Sequence, residues 1–240
     1  IVEVEKDVGK KLFNRASKKV ILTEEGRILL KYAERILELQ DTSIAEMNAV
    51  SAYRQKIAVG SVNATYESFV KPVLDRCLHE AEDVAVKVVI GHSMNLIQML
   101  QDNVLDMAFS SIPLKRAGFE CMEYDTDRLA IVIGKGYNRY KGGVDEEGLK
   151  NMSYLMCDFL SEIGEFIRSL FPADHVFKLE VDNSSKLLPY LEEGLGYSFM
   201  PYKMVKEKIE EGVLEEVPLI GFKSLKVITY LIYRQNYDPM

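Results

Sequence analysis

From Lys56 onward, short apolar runs rich in β-branched residues alternate with segments of helical period, and this alternation limits the possible folds more tightly than any other feature of the chain. Strands are expected over 56–60, 84–90 and 105–109, with helices over 66–80 and 93–101 between them. A βαβαβ run with connections this short implies a parallel sheet and right-handed crossovers, because a right-twisted strand feeding a helix packs back onto its sheet in only that sense. The pattern repeats as 154–156, a helix from about 162 to 171, 177–181, a helix over 185–193, and 197–200. Runs near 119–133 and 214–233 would join the two similar halves. Two facing halves make a cleft.

The segment ahead of Lys56 reads differently. Ile1, Val4 and Val8 share one helical face, and Gly9 is placed to stop that helix as a C-terminal cap. Leu12 and Phe13 follow as anchors of a short hairpin, while Lys10, Lys11, Arg15, Lys18 and Lys19 point outward with no acidic residue between positions 8 and 23. Such a basic hairpin suits phosphate contacts, which position a protein on DNA without reading bases, although a basic run is also what an ordinary solvated loop carries. Thr23 is a suitable N-cap, with Glu24 and Glu25 facing the positive end of the helix dipole. Beyond Gly26 neither Pro nor Gly occurs before Gly60, so one helix can run to about residue 52. From Tyr32 through Ile36, Leu39, Ser43, Met47 and Val50 the spacings alternate as 4, 3, 4, 4, 3, and Ile28 and Leu29 extend the apolar stripe. That is a coiled-coil seam, which favours a dimer; the alternative is an amphipathic helix lying on its own domain.

The order Val4, Val8-Gly9, Lys11-Leu12-Phe13-Asn14-Arg15, then Leu22-Thr23-Glu24-Glu25-Gly26-Arg27 resembles the LysR-type transcriptional regulators. The resemblance implies the end of a recognition helix and the wing of a winged helix-turn-helix over 1–23, a linker and dimerisation helix over 24–55, and an effector-binding domain over 56–240. That domain would be of the type 2 periplasmic-binding-protein kind, with lobe I over about 56–126 and 222–240 and lobe II over about 127–221. The resemblance covers essentially the whole chain. A second motif, Leu191-Glu192-Glu193-Gly194-Leu195-Gly196-Tyr197-Ser198-Phe199-Met200-Pro201 followed by Gly212-Val213-Leu214, supports it. Gly194 suits a left-handed helix cap and Gly196 a tight turn into the strand. Neither belongs to a phosphate-binding loop, since no G-x-G-x-x-G opens a helix after a first strand. The resemblance also places Ile1 inside the recognition helix, and Asp238-Pro239 reads as the start of a further helix past Met240.

Ligands of open parallel sheets sit at the carboxyl ends of the strands, where helix N-termini present free N–H groups. The residues expected to meet an effector are therefore Ser61, Asn63, Ala64, Thr65, His92, Ser93, Ser110, Ser111, Asp158 and Ser184, with Ser161 and Asn183 beside them. The first two groups, 61–65 and 92–93, also match effector-contacting loops of the family. Ser, Thr, Asp and Asn cap helices everywhere, so each residue alone has that second explanation. No Lys or Arg follows directly after a strand, so an anionic effector would rely on N–H groups, hydroxyls and His92, whereas Asp158 leans toward a polar or partly cationic one.

Composition agrees with a cytoplasmic, ligand-responsive protein. The formal net charge is −7, yet residues 1–55 carry ten Lys+Arg against nine Asp+Glu, so any contact with nucleic acid belongs to the front. Cys77, Cys121 and Cys157 form neither a disulfide framework nor a metal cluster. No apolar run is long enough to span a bilayer, and no signal sequence is visible. Histidines at 79, 92 and 175 and the neighbouring acids Glu24-Glu25 and Glu192-Glu193 make no catalytic constellation, since adjacent helical residues diverge by about 100°. The expectation is a regulator, not an enzyme, without cofactor or metal, acting as a homodimer or homotetramer on DNA and a small-molecule effector, with no membrane partner. A stand-alone solute-binding protein of a transporter is the alternative on the same fold.

Overall fold

The computed structural model describes residues 1–14, 20–48, 53–159, 162–221 and 225–235, the side chains of 46, 48 and 162 excepted. Arg15, Lys18, Lys19, Val50, Ser161 and the Asp238-Pro239 signal lie outside the described residues. Contacts divide the chain into two units, Ile1–Arg54 and Gln55–Met240.

In the first unit, α1 (Val2–Val8) ends at Gly9, which adopts φ 65 as a left-handed cap. A two-stranded hairpin, β1 (Phe13–Asn14) and β2 (Ile21–Leu22), leads into α2 (Glu24–Asn48). Leu12 is buried, as expected of an anchor, and Phe13 is half-buried. Thr23 caps α2: its hydroxyl oxygen accepts from the Gly26 N–H at 3.0 Å and donates to the Lys11 carbonyl at 2.7 Å. A Cβ on Gly26 would fall 2.1 Å from the Leu12 carbonyl oxygen, so only glycine lets the helix start lie this close to the hairpin. Ile28, Tyr32, Ile36 and Met47 stand exposed along α2 and Leu39 is half-buried.

The second unit starts with β3 (Gln55–Ser61), then α3, which runs from Asn63–Thr65 through a π turn, Tyr66–Val70, into Lys71–Glu80. β4 (Val84–Ile90), α4 (Ser93–Gln101) and β5 (Met107–Ser110) complete the first βαβαβ set, with β3 parallel to both β4 and β5. β6 (Phe119–Gly134) then leaves this lobe, and β11 (Lys226–Arg234) returns to it antiparallel to both β5 and β6. Between them lie α5 (Glu146–Lys150), β7 (Met156–Cys157), α6 (Glu162–Ser169), β8 (Glu180–Val181), a 3₁₀ turn (Ser184–Leu187) with α7 (Leu188–Glu192), β9 (Ser198–Pro201), α8 (Tyr202–Glu210) and β10 (Leu214–Val217). The result is two α/β lobes that share β6, the arrangement expected of a type 2 periplasmic-binding-protein fold.

β6 shows why. Its first half, 119–128, pairs with β11 in the first lobe, and its second half, 129–134, pairs with β9 and β10 in the second. In that second half the apolar run is continuous because both faces are covered: Ile131 and Ile133 enter one core cluster while Ala130 and Val132 enter another. Leu96, Leu100, Leu105, Ala108 and Ile232 form the corresponding core of the first lobe.

Several boundaries differ from those expected. The strand expected over 105–109 starts at Met107, because Asp106 is spent on β3: its carboxylate accepts from the Ala58 N–H at 2.7 Å and its own N–H donates to the Ala58 carbonyl at 2.8 Å. The helix expected from 66 starts at Asn63, and the run expected over 214–233 is two strands, of which only β11 returns to the first lobe. Pro218, whose carbonyl accepts from the Val144 N–H, and Gly221 at φ 78 interrupt it.

Candidate functional site

A cleft of about 470 Å³ opens between the two lobes, within the range of roughly 300–1,000 Å³ usual for small-molecule sites. Its walls are the turns that follow the strands, as parallel topology dictates. From the first lobe come the opening turns of α3, with Asn63, Ala64 and Thr65, and of α4, with His92 and Ser93, together with Ser111 after β5. From the second lobe come Asp158 after β7 and Ser184 at the 3₁₀ turn after β8. The remaining two residues expected from the sequence, Ser61 and Ser110, are fully buried and do not line the cleft. Their hydroxyls donate to the carbonyls of Val62 at 3.0 Å and Ile112 at 2.7 Å, which shapes the strand exits.

Hydroxyl pairs hold the walls in place. Ser93 Oγ accepts from the Ser111 N–H at 3.0 Å and lies 2.9 Å from Ser111 Oγ, tying the start of α4 to the end of β5. Thr65 Oγ1 lies 3.1 Å from Thr229 Oγ1, joining the first turn of α3 to β11. Asn183 caps the 3₁₀ turn by accepting from the N–H of Ser185 at 3.0 Å. Asn63 differs: its amide nitrogen is buried and has no hydrogen-bond partner among the described residues. An unsatisfied buried donor costs about 1–3 kcal/mol, so a site with such a donor favours a ligand that carries an acceptor.

Sequence reasoning missed the residues that set the charge of the cleft. Asp125 and Asp127, two apart on β6 and hence on one face of it, line the cleft floor beside Val227 and Thr229 of β11. Asp182, following β8, comes within 3.8 Å of His92 Nε2 from the opposite lobe. No signal in the sequence marks Asp125 and Asp127, because they lie inside a long strand and not in a loop after one; the position that matters is where β6 crosses between lobes. Cys157 also lines the cleft, but burial, followed by the negative charges of Asp158 and Asp182, pushes its thiol up to about 12, so it remains a neutral thiol.

In the first unit, Lys10 and Lys11 are exposed. Lys11 Nζ lies 3.8 Å from Glu5, a buried carboxylate that also accepts from the N–H groups of Leu12 at 2.8 Å and Phe13 at 3.2 Å. Among the described residues no helix is long and apolar enough to cross a membrane.

Comparison with known proteins bears on the class. A family model described as the LysR substrate binding domain matches residues 51–239. The chain is 23% identical over 224 residues to the HTH-type transcriptional regulator CitR of Bacillus subtilis (strain 168), a match covering 91% of this chain and 76% of that protein. Among solved structures it is similar to full-length CbnR in complex with its target DNA, with a TM-score of 0.66 at 18% identity over 99% of this chain and 83% of that one. It is similar also to CrgA, a LysR-type transcriptional regulator from Neisseria meningitidis, with a TM-score of 0.61 at 18% identity over 98% and 81% of the two chains. These relatives are transcriptional regulators and not enzymes. With its family model spanning 51–239, the chain belongs to the LysR-type transcriptional regulators.

Proposed function

We propose that this regulator senses a small polar effector in the cleft between its lobes and transmits the binding event through a dimer of α2 to a DNA-binding segment at the front of the chain. The observation that carries this reading is the convergence of helix starts and hydroxyl or amide side chains from both lobes on one cleft, with Asn63 offering an unpartnered donor there. Asn63, Ala64, Thr65, His92, Ser93, Ser111, Asp158 and Ser184 are the proposed contacts. A ligand bridging both walls favours the closed arrangement by its differential affinity, which is the only means by which binding can shift such an equilibrium. For the dimer, the support is the apolar stripe Ile28, Tyr32, Ile36 and Met47, which stands exposed on a single chain. For DNA, it is the basic hairpin, of which Lys10 and Lys11 are described. The family assignment does not favour a stand-alone solute-binding protein.

Thermal-shift screening against small metabolites tests the cleft. A ligand present at a hundred times its Kd adds about 2.7 kcal/mol by mass action. Ser93→Ala and Thr65→Val are expected to reduce the shift while leaving the chain folded. A hit whose effect neither substitution changes would place the site elsewhere.

A further inference from the structure

The charge of the cleft wall narrows the class of effector. Asp125, Asp127, Asp158 and Asp182 all line it, and among the described residues no Lys or Arg does. Among the described residues, two cations form ion pairs with these acids from outside the lining. Lys203 Nζ holds Asp125 at 2.5 Å, and Arg168 approaches Asp158 at 3.5 Å while also pairing with Glu180. The described lining itself thus carries four carboxylates, two of them paired with these cations, and His92, 3.8 Å from Asp182. Inside a concave, partly dry site such a field is screened far less than at a flat surface, so it repels a dicarboxylate and attracts a cation. The other wall asks for something different. Asn63 Nδ2, without a partner among the described residues, and the N–H groups at the starts of α3 and α4, which no side-chain cap bonds, are donors suited to an acceptor. Between the two walls, Met94, Phe159, Ile163 and Val227 supply apolar surface suited to a short methylene chain.

On the reading that this cleft is the effector site, we propose that it takes a basic amino acid or a close analogue: a ligand whose ammonium or guanidinium faces the aspartates of the second lobe and of β6, and whose carboxylate faces Asn63 and the first turns of α3 and α4. Asp182 is the acid best placed to discriminate. Its side chain is 78% exposed, so its replacement leaves the core intact.

The test is a thermal-shift titration of the intact chain with L-arginine and L-lysine beside their uncharged counterparts L-citrulline and L-norleucine, with citrate as an anionic probe. L-arginine or L-lysine is expected to raise the melting temperature where the other three do not. Asp182→Asn is expected to weaken the apparent affinity by about two- to fivefold, as the loss of one exposed, solvent-screened charge contact would. Ser93→Ala is expected to weaken it as well. Stabilisation by citrate or L-citrulline that Ser93→Ala abolishes would overturn the charge class and leave the cleft standing as the effector site. A shift from either cation that both substitutions leave untouched would overturn the proposal together with the placement of the site. Silence from both cations at millimolar concentration would overturn the proposal as well.

Discussion

Two buried groups show how single residues carry more than their sequence neighbourhood suggests. Glu5 is a helix glutamate that looks like solvated surface, yet it is 8% exposed and its carboxylate takes the N–H groups of Leu12 and Phe13. Glu5→Ala leaves those two donors unpaired and is expected to cost about 1–3 kcal/mol locally. Amide exchange at Leu12 and Phe13 would accelerate accordingly, and unchanged exchange would show that the carboxylate holds nothing in place. Cys157 works through pH. Burial raises its thiol from 9.0 to about 12, so the folded state holds that proton more tightly than the unfolded chain does. Stability is then full below pH 9 and falls as pH rises from there toward 12. Tyr154, fully buried and also raised by desolvation, adds to the same slope. Urea midpoints between about pH 8 and pH 11 are expected to decline less steeply in Cys157→Ala than in the parent, and equal slopes would assign the alkaline loss elsewhere. The burial of Glu5 could not be read from the sequence, because it belongs to the fold and not to the local string, whereas a buried structural thiol is what the sequence suggests for Cys157. Ser93 and Thr65 were readable, since position after a strand follows from topology; Asp125 and Asp127 were not, since they sit within one.

At the scale of elements, periodicity identified most strands and helices, and tertiary packing moved their ends. α3 begins at Asn63 and not 66, with a π turn over Tyr66–Val70 that no propensity signals. The helix Tyr202–Glu210 starts directly after β9, with Pro201 both the last residue of the strand and the N-cap of the helix and Tyr202, Val205 and Ile209 at helical spacing. Gly194 and Gly196 behave as the sequence suggested for reasons now visible. Gly194 takes φ 72, and a Cβ on Gly196 would meet the Ser153 carbonyl at 2.6 Å. The element with the most direct functional consequence is α2. Ile36→Glu combined with Leu39→Glu places unpaired charge on the proposed seam, where buried charge is costly, and is expected to shift the chain from dimer to monomer in light scattering. A parent chain that is already monomeric at micromolar concentration would remove α2 as the dimer contact.

For the effector domain as a whole, the decisive feature is that β6 and β11 belong to both cores or border both, so the cleft floor at Asp125, Asp127, Val227 and Thr229 is also the crossing between lobes. The pairing of β6 with β11 shifts register between Thr229 and Tyr230, at that same crossing. Such an irregularity locally changes the twist of the paired strands beside the floor. A ligand on this floor touches both lobes and the segment about which they would close. The two-lobed plan could be read from the repeated strand-helix order, whereas the acidity of its floor could not, because pairing partners are set only once the sheets form. The most direct measurement is hydrogen exchange of the chain with and without whichever ligand proves stabilising. Simultaneous protection of the segments around 62–65, 92–95 and 182–184 is predicted, since these come from opposite walls of one cleft. Protection confined to one lobe, or falling on none of these segments, would contradict an effector bound between the two.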